Sequence, residues 1–178
     1  AIRNVIITDC IIRSSNRGIG IQNRDEGVVE NILFRNIIVE GRLFDDVWWG
    51  KAEPIYITAY KRKASAHKDA NIRFAKGQTV GKVGRVKGIT FSGIRAESEN
   101  GCFIGGEPGM VEDVVIEDSS FLITKKTAFA GGIYDLRPSD TVGLLETETS
   151  AFLLHTAGNV EIRNCSVAWG SERPAHFG

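Results

Sequence analysis

Cysteine is scarce in this chain: Cys10, Cys102 and Cys165 make an odd count with no CxxC pair, which excludes a disulfide framework and a structural zinc site. Cys10 and Cys165 hold the same place in copies of a repeat about four or more strands apart, so ~19 Å or more separates them and no bridge can form. His67, His155 and His176 are scattered without a second ligand at helical or strand spacing, so neither a metal nor a cofactor is expected. No charge of one sign dominates. The 22 basic and 22 acidic residues cancel, which leaves no electrostatic footprint for nucleic acid or an anionic membrane. No apolar run approaches the ~20 residues of a membrane span, and no basic stretch precedes an apolar one at the first residues. The chain therefore reads as soluble. No compartment follows, although unpaired thiols suit a bacterial cytoplasm or periplasm.

What is present is a repeat. VENILFRNIIVE from Val29 has counterparts beginning at Ile2, Val86, Val111 and Ala157. Their fourth and sixth positions are Val5 and Ile7, Ile32 and Phe34, Ile89 and Phe91, Val114 and Ile116, and Val160 and Ile162. All ten are apolar between mostly polar neighbours, the period of a strand with one buried face. The eighth position is Asp9, Asn36, Gly93, Asp118 or Asn164, types that tolerate left-handed angles, so each strand is expected to bend there. A further apolar segment follows most copies: GIGIQ at 18–22, PIYIT at 54–58, GCFIG at 101–105 and AFLLH at 151–155. Three short strands per turn predict an all-β parallel β-helix, one domain over 1–178, with 42% apolar residues for its core. The rival architecture is a sandwich of short antiparallel strands. It would use Asn-Gly hairpins, and the one Asn-Gly, at Asn100, lies inside a repeat.

Three segments hold candidate site residues. GIGIQ sends Ile19 and Ile21 to one face and leaves Gly18, Gly20 and Gln22 as a small polar surface, with Arg17, Arg24, Asp25 and Glu26 at its ends. The alternative is a solvated turn with a local ion pair. In LFDDVWWGKAEPIYITAY, strand alternation would put one of Trp48 and Trp49 outward, an indole platform for a sugar beside Asp45, Asp46, Lys51 and Glu53; a plain loop cover is the other reading. Asp45 and Asp46 are poor paired catalysts, because alternation points them apart. Residues 61–85 carry eight Lys or Arg against one Asp, a basic loop suited to an acidic polysaccharide or simply solvated. In YDLRPSD, Asp135, Arg137 and Asp140 read as a turn held by an ion pair.

RGIGIQNRDEGVVENILFRNI, WWGKAEPIYITAY and VEIRNCSVAWG together resemble the C-terminal part of glycoside hydrolase family 28, the polygalacturonase-like enzymes. The resemblance implies a right-handed, single-stranded parallel β-helix of the pectin-lyase-like kind, truncated here, and inverting hydrolysis of pectic or related polysaccharide. The family's Asn-Thr-Asp, Asp-Asp and Gly-His-Gly motifs do not occur in the right context, so no catalytic residue is assigned. Its Arg-Ile-Lys motif falls on Gly20, Ile21 and Gln22, which removes two cations and admits a neutral or differently decorated glycoside. Expected substrate-binding residues are Arg17, Gln22, Arg24, Trp48, Trp49 and Lys51. On this reading the chain is a fragment, and its partners are a polysaccharide or oligosaccharide and the missing N-terminal coils, or a neighbouring chain, that cover the open end. A non-catalytic carbohydrate-binding or structural module is the alternative.

Overall fold

A computed structural model describes residues 1–45, 47–62, 82–137, 139 and 143–177. Its strands are β1 (Ile2–Thr8), β2 (Ile11–Ser15), β3 (Arg17–Gln22), β4 (Val28–Gly41), β5 (Glu53–Ala59), β6 (Arg85–Ser98), β7 (Cys102–Gly106), β8 (Val111–Glu117), β9 (Ser120–Ile123), β10 (Ile133–Asp135), β11 (Leu144–Glu146), β12 (Phe152–His155), β13 (Gly158–Arg163) and β14 (Ser166–Trp169). The repeat copies pair in parallel in the order β1-β4-β6-β8-β13. Their register matches the sequence alignment: Ile7 faces Phe34, Phe34 faces Phe91 and Phe91 faces Ile116. The Phe34 and Phe91 rings stack with centroids 5.0 Å apart. A second parallel sheet, β12-β7-β5-β3, supplies Ile19, Ile21, Ile55, Ile57 and Ile104 to the same core.

Burial of the fourth and sixth positions is complete or nearly so in the three inner copies. It fails at the edges, where Ile7 and Ile162 are both 37% exposed because each strand has a neighbour on one side only.

Each copy bends through left-handed residues. At the eighth position φ is 58° at Asp9, 53° at Asn36, 67° at Gly93, 51° at Asp118 and 49° at Asn164. The third position does the same at Asn4, Asn31, Gly88, Asp113 and Asn159. Asn and Asp tolerate this region because their short side chains can bond locally, and here they bond along the stack. Asn31 donates to Asn4 (2.7 Å), Asn36 to Asp9, Asn159 to Asp113 (2.5 Å) and Asn164 to Asp118 (2.5 Å). Gly88 and Gly93 interrupt both ladders at β6.

The expected right-handed, single-stranded parallel β-helix is corrected by this topology. The chain is all-β, but its described strands form two parallel sheets and an antiparallel pair rather than a single-stranded solenoid. The reason lies in the bends. A left-handed residue turns the backbone without ending its hydrogen-bond ladder, so β4 and β6 each run through 14 residues, and β2, β9 and β14 join the same sheet as the copies that precede them. The antiparallel pair, β10 with β11, arises where the sequence suggested only a turn around Asp135 and Arg137. Tyr134 on β10 packs 5.1 Å from Phe103, and with Tyr56, Tyr60 and Leu136 they make a second apolar cluster over β5 and β7. Asp135 and Arg137 form the expected ion pair at 2.5 Å, and Asp140 lies outside the described residues.

All three thiols are unpaired; Cys102 is fully buried and burial raises its pKa. Titration of the denatured, unreduced protein should therefore find three reactive thiols. A count of one would show a bridge that this register forbids.

Candidate functional site

The site grows from the ends of β3 and the loop that precedes β5. Along β3, Ile19 and Ile21 point into the core, while Gly20 and Gln22 are exposed. Gly18 is not part of an open surface: a Cβ there would stand 2.5 Å from the Pro54 carbonyl oxygen, so glycine lets β3 and β5 approach. β3 pairs with β5 so that Arg17 sits beside Glu53. The guanidinium donates through Nε (3.1 Å) and Nη2 (2.9 Å) to the Glu53 carboxylate, and Nη2 also donates to the Trp49 carbonyl at 2.6 Å. Its Cζ lies 3.6 Å from the centre of the Tyr56 ring. Burial alone would lower the Arg17 pKa, but Glu53, with smaller contributions from Tyr56 and Asp135, offsets this and the net direction is upward.

Glu53 is fully buried and also accepts the Lys51 backbone N–H at 2.8 Å. That bond anchors the loop carrying the two tryptophans. Its other end is fixed by Asn16, which accepts the Phe44 N–H at 2.8 Å, and by Asp45, which accepts those of Val47 and Trp48. Gly50 passes so near Asn16 that a Cβ would come within 2.4 Å of its carbonyl oxygen. Trp48 is 68% exposed and Trp49 44%. Both lie in the bend, where strand alternation does not apply, which is why both indoles reach solvent. Together with Ser15, Asn16, Arg17 and Gly50 they line a groove of about 470 Å³.

Arg24 closes one side of the tryptophan loop. Its Cζ is 5.3 Å from the centre of the Trp49 ring, and Nη2 donates to the Arg137 carbonyl at 2.6 Å. It is 8% exposed, yet no ion pair joins it to a carboxylate among the described residues. Burial lowers its pKa, with the like charges of Arg62 and Arg17 adding to the effect and Tyr56 and Asp135 opposing it. A buried guanidinium of this kind favours an incoming anion.

The structure thus gathers Arg17, Arg24, Trp48 and Trp49. Gln22 stands apart, exposed at the end of β3 beside Thr58, and Lys51 is buried behind the loop. The carboxylates nearby are occupied: Glu53 by Arg17, Asp25 by Arg62 (2.6 Å), Asp135 by Arg137 and Asp45 by backbone N–H groups. Asp46 and most of the basic stretch, 63–81, lie outside the described residues. Among the described residues no group of three or more His, Cys, Asp and Glu gathers for a metal, and no helix is long and apolar enough to cross a membrane. Glu53 and Arg137 were missed as site residues. The parallel register of β3 with β5 was the available signal for Glu53, whereas Arg137 arrives through the antiparallel pair and left none.

No protein-family model matches the chain, and neither a curated protein nor a solved structure matches it.

Proposed function

We propose that the Trp48–Trp49 loop with Arg24 binds an acidic saccharide, as the substrate-side part of a polygalacturonase-like glycoside hydrolase acting on pectic or related polysaccharide. The supporting observation is Arg24, a nearly buried cation against an indole face without a carboxylate partner among the described residues. A sugar ring stacks on the exposed indoles, and a uronate carboxylate meets the guanidinium that Arg17 cannot offer, since Glu53 already holds it. The exposed edge of β1 and β2, with Ile2 58%, Ile6 69% and Ile11 61% exposed, is where further strands of the enzyme or a neighbouring chain would lie.

A non-catalytic carbohydrate-binding module is the second reading, favoured by the occupied carboxylates around the groove. An inverting glycosidase needs two carboxyl groups ~6.5–9.5 Å apart across the scissile bond.

Calorimetry with an oligogalacturonate and its methyl ester tests the site. Trp49→Ala should weaken binding roughly tenfold, and Arg24→Ala should erase the preference for the free acid over the ester. Unchanged affinities in both variants, with circular dichroism confirming that they fold, would overturn the assignment. The chain alone should hydrolyse neither pectic nor neutral oligosaccharides. Turnover that vanishes in Asp25→Asn or Asp45→Asn would show instead that it has its own active site.

A further inference from the structure

On the outward face of the bent ends of the repeats, successive strands place Ile38, Arg95, Ser120 and Ser166 side by side. Adjacent strands in such a row stand ~4.8 Å apart, so the row forms a track across the strands. The small serines leave a depression beyond Arg95, Leu122 supplies an apolar wall, and Arg13 stands at the opposite end; the whole is a groove of about 470 Å³. It lies on a different sheet from β3, the strand that carries Arg17.

The charges in and around this groove do not balance. Its two glutamates are engaged: Glu97 accepts from Arg42 at 2.5 Å and lies 3.8 Å from Lys126, and Glu40 lies 3.8 Å from the same Arg42. Asp118, in the adjoining depression, is bonded by Asn164 and makes no ion pair with Arg95. Arg13 and Arg95 have no ion pair among the described residues. In and around the groove four cations, Arg13, Arg42, Arg95 and Lys126, thus face three carboxylates, Glu40, Glu97 and Asp118, and the two without an ion pair among the described residues are Arg13 and Arg95.

We propose that this groove is a second binding site for a linear acidic glycan, whose carboxylates pair with Arg13 and Arg95 while its rings lie over Ile38 and the serine hydroxyls. The proposal extends the saccharide reading of the tryptophan loop to a different face. A glycan fits better than an acidic peptide strand. A peptide strand would add along the free edge of β2 or of β14, whereas a ligand lying across the strands meets side chains alone.

The probes are an oligogalacturonate, its methyl ester and polyglutamate, followed by calorimetry and by amide chemical shifts. The intact chain should show two binding events for the free acid. Arg13→Ala with Arg95→Ala should abolish the groove event, each substitution alone weakening it about tenfold, and leave the tryptophan-loop event unchanged. Trp49→Ala should weaken the tryptophan-loop event roughly tenfold and leave the groove event unchanged. Added salt should weaken the groove event, and the ester should not bind there. The proposal fails if the double variant keeps both events, or if polyglutamate occupies the groove as tightly as the glycan. Absence of the tryptophan-loop event from the intact chain, with the groove event present, would count against the proposed function and leave the groove standing.

Discussion

Phe91→Ala should lower the unfolding free energy by about 3–5 kcal/mol, the usual cost of removing a buried phenyl ring. Phe91 is fully buried, stacked within 6° of parallel on Phe34 and in register with Ile116 on its other side. Neither neighbouring strand can close the void without breaking the ladder that fixes its position, so little relaxation is available. Urea denaturation gives the comparison. Ile162→Ala, at the same repeat position but 37% exposed on edge strand β13, should cost under about 1.5 kcal/mol. Equal losses at the two positions would mean that the interior does not run through the middle of the β1-β4-β6-β8-β13 sheet.

Glu53→Ala should be comparably damaging, by about 3–5 kcal/mol, for an electrostatic reason. The carboxylate is fully buried and satisfies Arg17 twice and the Lys51 N–H once. Its removal strands a guanidinium that is largely shielded from water and frees the loop holding Trp48 and Trp49. Thermal unfolding should show the loss, and saccharide binding at the loop should weaken with it. Replacing both partners, Glu53→Leu with Arg17→Met, should recover much of the stability but not the binding, because neither member of the pair is left as a buried charge without the other while Arg17 no longer anchors Trp49. A single variant within about 1 kcal/mol of the parent would show that the pair is solvated.

How much of this was legible depended on whether a residue's role was set by its own strand or by a distant one. Alternation along each copy placed Ile32, Phe34, Ile89 and Phe91 inside, and aligning the copies gave their pairing partners, because parallel in-register pairing puts equivalent positions side by side. The Asp, Asn and Gly bends at the eighth position were visible as residue types, whereas the matching ladder at Asn4, Asn31 and Asn159 was not recognised. The overall architecture was misjudged. Alternation says which residues face inward, but not how many sheets the strands divide into, nor that Ile133–Asp135 and Leu144–Glu146 form an antiparallel pair. At the site, Arg17, Arg24 and the tryptophans were named as candidates, and the structure brings them together. Lys51 is buried, and Gln22 stands apart at the end of β3.

The side-chain ladders through Asn4–Asn31 and Asp113–Asn159 join residues 27 and 46 positions apart in the chain. Closure entropy grows only logarithmically with such separations, by about 0.6 kcal/mol for each doubling. Lengthening the connection between two strands is therefore nearly free, but shifting either strand by one residue misaligns both its apolar face and its asparagines. Insertions and deletions should accumulate between the repeats and be purged within them, so relatives of this chain would vary widely in length while keeping the spacing from Asn31 to Asn36 fixed.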